Sequence, residues 1–317
     1  MPPEILVMEF EQTGDLVVYE QAIRQESPEV VVHVAASEEE ALRFCGNVEI
    51  VAIKAHDLSP ALVSALPRLE WVQSLTTGTD HLRTLSLPPG CVVTSTRGMH
   101  GPQMAELAFL HMLALARDFP SMYRNQQAKR WVRWPQPLLL GKTAVIVGVG
   151  AISEALAVRC KAFGMRVVGV SGSRTKADGF DIIEPRERLV SAASIADFLI
   201  VLAPYTPENH HLIDARVLGA MPPQAMLINI ARGKVIDERA MIAALQEGRI
   251  QGAGLDVFEV EPLAENNPLW RMDRVIVTPR IGGMSDIFAK QAAAILTDNL
   301  KIFLSGRREA MHNIVRI

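Results

Sequence analysis

Three segments in the last third of the chain carry side chains able to do chemistry: N-I-A-R-G at 229–233, G-L-D-V-F-E-V-E-P at 254–262 and V-T-P-R-I-G-G at 277–283. Two guanidinium groups, Arg232 and Arg280, and two carboxylates, Asp256 and Glu261, follow short apolar runs that predict strands. A guanidinium is a planar fork that binds a carboxylate through paired hydrogen bonds and polarises an adjacent carbonyl. Upstream, V-I-V-G-V-G-A-I-S at 145–153 reads as a strand, a glycine turn and a helix. Gly148 permits the tight turn, and Gly150 lets the backbone approach a pyrophosphate. The helix beginning near Ala151 and Ile152 points its unpaired N–H groups at that anion. Ser153 stands at the third fingerprint position, where a small residue still allows close helix–strand packing. G-x-G-x-x-small is weak evidence alone, but between a strand and a helix, with further strands behind it, it predicts dinucleotide binding. The alternative is a glycine turn that binds nothing.

The next strand, M-R-V-V-G-V, runs into S-G-S-R-T-K at 171–176. An acidic residue there would hold the ribose hydroxyls of NAD and repel a 2′-phosphate. This chain has Ser171 instead, with Ser173, Arg174 and Lys176 following. Serine and arginine can hold a phosphate, so NADP(H) is favoured over NAD(H). Solvated loop charges are the plainer reading of Arg174 and Lys176.

The order and spacing of these segments resemble the D-isomer-specific 2-hydroxyacid dehydrogenases, a nicotinamide-dependent family. The resemblance covers most of the chain and is strongest from Gly141 to Gly283. It implies an oxidoreductase moving a hydride between NAD(P)H and a small 2-keto or 2-hydroxy acid. It gives Arg232 the substrate carboxylate, Asp256 the nicotinamide carboxamide, and Glu261 the partnership with a catalytic histidine. T-T-G-T-D-H-L at 76–82 is similar to the loop whose backbone N–H groups bind the carboxylate, at Thr77 and Gly78. A-P-Y-T-P-E-N at 203–209 is similar to the loop under the adenosine half, which brings in Pro204 and Thr206, and Ile230 ends the strand before Arg232. The helix after Gly101 is similar to one that packs two subunits together, implying a homodimer. Singly, Arg232 reads more readily as a surface charge, Asp256 as a helix cap and Glu261 as a solvated acid. Their order at successive strand ends favours a site, because open α/β sheets bind ligands at that edge.

One position departs from the pattern. Where the family has its acid/base histidine after T-P, this chain has Arg280. Arginine stays protonated at physiological pH, so it stabilises an alkoxide but is a very poor proton donor. Losing acid/base help costs about 10²–10⁴-fold in rate. Four outcomes are open: another donor such as His100 in G-M-H-G, water as donor, a dianionic or bulkier acid as substrate, or a cofactor-binding regulatory or sensor protein whose catalysis has decayed. His33, His56, His81 and His111 read as structural, and His210 and His211 as surface groups.

Positioning such residues requires two α/β layers. Short β-branched runs alternate with helix-like stretches over almost all 317 residues, the pattern of doubly wound parallel sheets. The expected division is 1–99 with 284–317 as a flavodoxin-like substrate domain and 100–283 as a Rossmann NAD(P)-binding domain. The first domain offers strands at Ile5–Met8, Val30–Val34, Glu49–Ile53, Trp71–Leu75 and Val92–Thr94. The second offers Ala144–Val147, Arg166–Val170, Phe198–Leu202, Met226–Ile230, Gly254–Val257 and Val275–Val277. A helix over Ser285–Leu304 follows the completed second sheet and is free to cross back to the first domain. The run after Pro102 is apolar on nearly every face, so it must be covered on all sides. A subunit interface or the centre of one large core would each do that.

Composition excludes several classes. A net charge of −3 gives no broad basic face for nucleic acid. Three dispersed cysteines, Cys45, Cys91 and Cys160, make neither a disulfide framework nor a zinc site, so no metal is expected and a cytoplasmic setting is. The N-terminal M-P-P-E-I-L-V-M-E-F lacks the basic and long apolar regions of a signal peptide. Leu107–Ala116 is too short to span a bilayer, so no membrane partner is expected.

Overall fold

Strand β1, Glu4–Met8, buries Ile5, Leu6, Val7 and Met8 completely. Successive strand residues point to opposite faces, so both faces of this strand must be covered. The computed structural model describes residues 2–316 and divides into two units, Met1–Met99 with Ser285–Ile317 and His100–Met284. In the first unit, β1 is joined by β2 (Val31–Ala35), β3 (Ile50–Ile53), β4 (Trp71–Ser74) and β5 (Val92–Thr94). All pairings are parallel, in the order β2-β1-β3-β4-β5. This is the flavodoxin-like order. Ile5 and Val7 pack with helices Leu16–Glu26 and Phe288–Leu304, while Leu6 and Met8 pack with Leu58, Leu62 and Val63 on the other side.

The returning helix Phe288–Leu304 is tied to this sheet by a buried polar chain. Trp71 Nε1 donates to Thr94 Oγ1 at 2.8 Å, and Thr94 Oγ1 donates to Gln73 Oε1 at 2.8 Å. Asn299 Nδ2 donates to the same Gln73 oxygen at 3.0 Å, and His312 N donates to Asn299 Oδ1 at 2.6 Å. Asn299, Gln73 and Thr94 are fully buried, so each bond replaces water that the groups have lost.

The second unit holds seven parallel strands: β6 (Thr143–Val147), β7 (Arg166–Ser171), β8 (Ile182–Pro185), β9 (Phe198–Val201), β10 (Met226–Asn229), β11 (Gly252–Leu255) and β12 (Val275–Val277). Their order is β12-β11-β10-β9-β6-β7-β8. The direction of winding reverses between β6 and β9, which makes the switch point where such sheets bind ligands. The sequence predicts six strands here. It misses β8 because an edge strand reading I-I-E-P, half exposed and ending in proline, has no apolar run to reveal it.

Helix Gly101–Ala116 buries twelve of its sixteen residues inside its own unit, against helix Ala151–Ala162 and strands β10 and β11. Its all-round apolarity is therefore accounted for within one chain, apart from exposed Leu110. Among the described residues no helix is long and apolar enough to cross a membrane.

Replacing Asn299 with Leu strands the buried partners of the polar chain. The expected cost is about 1–3 kcal/mol, read as a lower urea midpoint with unchanged slope. An unchanged midpoint would show that the returning helix is held by apolar packing alone.

Candidate active site

The loops at the C-terminal ends of β6, β9, β10, β11 and β12 carry most of the candidate site residues. At the end of β6, Gly148 has φ +98°, and a Cβ there would lie 2.5 Å from Ala203 N on the loop after β9. Only glycine lets those two loops touch at the switch point. A Cβ on Gly150 would meet nothing within 4 Å, so that backbone lies open to an approaching group. Ser153 does more than stay small: its hydroxyl accepts from Gly150 N at 2.6 Å and donates to Gly150 O at 2.8 Å. It caps the start of the helix, which fixes the turn without a third glycine. Ala151 and Ile152 form the first helical turn. A tight glycine turn, an open backbone and a helix N-terminus at the switch point together suit a dinucleotide pyrophosphate.

Ser171 ends β7. Its hydroxyl accepts from Ser173 N at 3.2 Å and Arg174 N at 3.0 Å, closing the turn that presents both residues. Arg174 pairs with Glu154 at 2.6 Å in an exposed position. Exposed pairs of this kind are weak, so the guanidinium is available to a stronger anion. After β9, Pro204 accepts a bond from Asn209 Nδ2 at 3.0 Å and Thr206 accepts one from Asn209 N at 2.9 Å, which folds the loop into a short turn.

Asn229 organises the end of β10. This buried amide accepts from Ala231 N at 3.1 Å and donates to Arg232 O at 3.1 Å. It shapes the I-A-R-G turn, with Ile230 buried and Arg232 half-buried. A Cβ on Gly233 would lie 1.9 Å from the backbone of Phe258, so the loop bearing Arg232 is pressed against the loop bearing Asp256 and Glu261. Sequence reasoning passed over Asn229 and Gly233, although a glycine after the arginine is the usual mark of close backbone approach.

Asp256, at the end of β11, is 2% exposed. Its carboxylate accepts from Thr278 Oγ1 at 2.6 Å, Ile281 N at 3.0 Å and Gly282 N at 3.0 Å. Burial raises the carboxyl above its usual value, while the bonds from Thr278, Gly282 and Ile281 pull it down. Between those donors, Arg280 takes a left-handed backbone, φ +56°. Its guanidinium pairs with Glu261, whose other oxygen accepts from Phe258 N at 3.0 Å. Arg232, Asp256, Glu261 and Arg280 thus come from three adjacent strand ends of one unit.

Two histidines adjoin this loop. His111, fully buried, places Nε2 3.4 Å from Thr278 Oγ1. A Cβ on Gly254 would lie 2.6 Å from its ring, so β11 has glycine where the imidazole lies flat on the strand. Burial pushes His111 down to about 4. His100, 9% exposed, is held below its usual value by burial and then by the charge of Arg232. Thr77 and Gly78 belong to the other unit, on the loop after β4 that Ser74 and Thr76 brace through Ser74 Oγ to Thr76 O at 2.9 Å and Thr76 Oγ1 to Gly78 O at 3.0 Å. Among the described residues no group of three or more His, Cys, Asp or Glu side chains could hold a metal ion.

Residues 109–282 match the family model described as the D-isomer specific 2-hydroxyacid dehydrogenase, NAD binding domain. The chain is 34% identical over 267 residues to the glyoxylate reductase of Pyrococcus horikoshii, covering 81% of this chain and 80% of that protein. The chain belongs to the D-isomer specific 2-hydroxyacid dehydrogenase family. By family it is an NAD(P)-dependent oxidoreductase, and nothing in the comparisons supports a decayed regulatory protein. It is also 29% identical over 310 residues, 95% of its length, to the D-3-phosphoglycerate dehydrogenase of Methanocaldococcus jannaschii, but spans only 58% of that relative. Among solved structures, a family member from Aeromonas salmonicida superposes with a TM-score of 0.91 at 30% identity, covering 100% of this chain and 99% of the other. A second member, from Xanthobacter autotrophicus in complex with NADPH and MES, gives 0.83 at 28% identity, with 98% of each chain covered.

His111 makes a pH prediction. The unfolded chain takes up its proton near 6.5, the fold only near 4. Between those values the unfolded state binds more protons, so this contribution is complete above pH 6.5 and is lost as pH falls toward 4. It amounts to roughly 3 kcal/mol. Urea midpoints at pH 7 and pH 4.5 should diverge more for the parent protein than for His111→Gln. Equal divergence in both would refute the assignment.

Proposed function

We propose that the chain reversibly reduces small 2-keto acids to 2-hydroxy acids, with NADP(H) preferred over NAD(H). The observation that carries this reading is the convergence of Arg232, Asp256 and the Glu261–Arg280 pair on adjacent strand ends of a unit matching the family's NAD binding domain. Arg232 takes the substrate carboxylate with its fork and polarises the neighbouring carbonyl. Thr77 and Gly78, on the loop after β4 of the other unit, offer backbone donors of the kind a carboxylate accepts. Asp256, held by its three donors, keeps one spare acceptor position, on Oδ2, for the carboxamide of the nicotinamide. The bound dihydronicotinamide supplies the hydride.

Gly148, Gly150, Ala151 and Ile152 cradle the pyrophosphate. Pro204, Thr206 and Ile230 line the adenosine and nicotinamide halves. Ser171, Ser173 and Arg174 take the 2′-phosphate, a reading supported by the absence of an acid at the end of β7 and by a structural relative in complex with NADPH. Arg280 stands where the family's histidine is expected. It stabilises the alkoxide and, through Glu261, stays oriented toward it. The substrate class is that of glyoxylate and hydroxypyruvate, the acids named for relatives of this chain.

We also read the chain as a cytoplasmic homodimer joined through the region of helix Gly101–Ala116. Leu110, Phe119, Tyr123, Trp131, Val132, Leu138 and Leu140 are exposed there, an unusual apolar density for a free surface. Sedimentation velocity should give twice the mass of one chain, and Trp131→Glu with Leu140→Glu should give a monomer.

NADPH and NADH oxidation with glyoxylate, hydroxypyruvate and pyruvate tests the activity. Arg232→Ala should lower kcat/KM by about 10²–10³-fold, the scale of a lost oxyanion-type contact. Arg174→Ala should raise KM for NADPH about tenfold and leave NADH unchanged, since a phosphate contact worth about 1.4 kcal/mol is a factor of ten. A protein that oxidises neither cofactor with any of these acids contradicts the proposal.

A further inference from the structure

Asp256 Oδ1 accepts from Thr278 Oγ1 at 2.6 Å and from Ile281 N at 3.0 Å, and Oδ2 accepts from Gly282 N at 3.0 Å. A carboxylate oxygen has about two acceptor positions, so Oδ1 is filled and the open position lies on Oδ2. That asymmetry depends on one hydroxyl proton. Thr278 Oγ1 carries a single hydrogen, and three groups surround it: Asp256 Oδ1 at 2.6 Å, Leu255 O at 3.4 Å and His111 Nε2 at 3.4 Å. Leu255 O already accepts from Thr278 N at 2.9 Å. The short contact to a carboxylate is the strongest of the three, so the proton goes to Asp256.

With that proton spent, Thr278 Oγ1 can only accept from His111, so Nε2 must carry the imidazole hydrogen. The rest of the ring agrees. Burial pushes His111 down to about 4, so near neutral pH the ring is uncharged and carries one N–H. The backbone of Gly254 acts on the ring from the Nδ1 side, where a Cβ would lie 2.6 Å from Nδ1. Nδ1 nevertheless closes no hydrogen bond among the described residues. A buried N–H without an acceptor is rarer than a buried acceptor without a donor. The lone pair therefore belongs on Nδ1 and the proton on Nε2.

We propose that His111 is a positioning residue for the nicotinamide. Its Nε2–H donates to Thr278 Oγ1, which commits the Thr278 proton to Asp256 Oδ1 and leaves Oδ2 for the carboxamide. With a lone pair on Nε2, or an apolar side chain at 111, the hydroxyl is free to swing toward the ring or toward Leu255 O. A second acceptor position then opens, on Oδ1. The carboxamide has two oxygens to choose between, and the nicotinamide ring turns with it. Hydride transfer tolerates little of that, because the reacting atoms must meet about 3–3.5 Å apart. His111 touches neither substrate nor cofactor on this reading; it acts through Thr278.

The inference rests on the proposed function, and two kinds of measurement separate them. With NADPH and glyoxylate, His111→Leu should lower kcat roughly five- to tenfold, the scale of one net hydrogen bond, while NADPH binding by fluorescence titration is unchanged. The isotope effect on kcat with NADPH deuterated at nicotinamide C4 should rise, because the hydride step itself is slowed. His111→Gln keeps an N–H near the position of Nε2 and should retain most of the turnover. In a Thr278→Val background the leucine substitution should cost under about twofold, since the hydroxyl through which His111 acts is gone. His111→Met serves if the leucine variant fails to fold. Independently of turnover, heteronuclear NMR of the ring nitrogens in the cofactor-free protein at neutral pH should place the His111 proton on Nε2. A proton on Nδ1, a leucine effect undiminished by Thr278→Val, or an unchanged isotope effect overturns the inference. An active parent with its proton on Nδ1 faults His111 alone. A parent inactive on every 2-keto acid, though its proton lies on Nε2, faults the reading of the reaction.

Discussion

The site depends on one buried carboxylate. Asp256 has left water almost entirely, a transfer that is costly unless its charge is hydrogen-bonded. Thr278, Ile281 and Gly282 supply those bonds, and all three lie on the loop after β12. Asp256 therefore staples the end of β12 to the end of β11. The staple forces the intervening residue into a left-handed turn, a conformation costing a non-glycine residue about 1–2 kcal/mol. Arg280 bears that strain and is aimed at Glu261 in return. The ion pair itself is exposed on the arginine side and stabilises little. It orients the guanidinium more than it holds the loop.

The same loops share their backbone closely because glycines stand where they touch. Gly233 admits Phe258, Gly254 admits the His111 ring, and Gly148 admits Ala203. Each contact forbids a side chain, so the strand ends form one rigid edge rather than several independent loops. Rigid placement matters for hydride transfer, where reacting atoms must be held about 3–3.5 Å apart. Charge follows the same design. Asp256 is engaged by the Thr278 hydroxyl and two backbone N–H groups, and Glu261 by Arg280 and Phe258 N. Arg232, half-buried on the loop after β10, is the cation proposed for an incoming acid.

Much of this was legible in the sequence. Val92–Thr94 and Val275–Val277 are strands with the expected ends, and most others differ by one or two residues, because β-branched runs flanked by turn residues have little alternative. The glycine turn was readable because dinucleotide chemistry constrains consecutive residues. Edge strand β8 was not, since one exposed edge asks for no apolar pattern. The apolar helix after Pro102 pointed equally to a core and to an interface, and only the fold shows that its own unit covers most of it. Ser153 read as a tolerated substitution and proves to be a cap. His111 read as structural, which its burial supports, but its contact with Thr278 joins residues 167 apart in the chain. No local pattern reports such a pairing. The G-M-H-G turn was visible in the sequence, whereas the closeness of the His100 ring to Gly283 comes from the fold.

The most direct test of the account is a crystal structure of the complex with NADPH and oxamate. It should find the pyrophosphate on the Gly148–Gly150 turn, the oxamate carboxylate on the Arg232 guanidinium and the nicotinamide carboxamide at Asp256. Oxamate bound away from Arg232, or a nucleotide bound elsewhere than at the β6–β9 switch point, would contradict it.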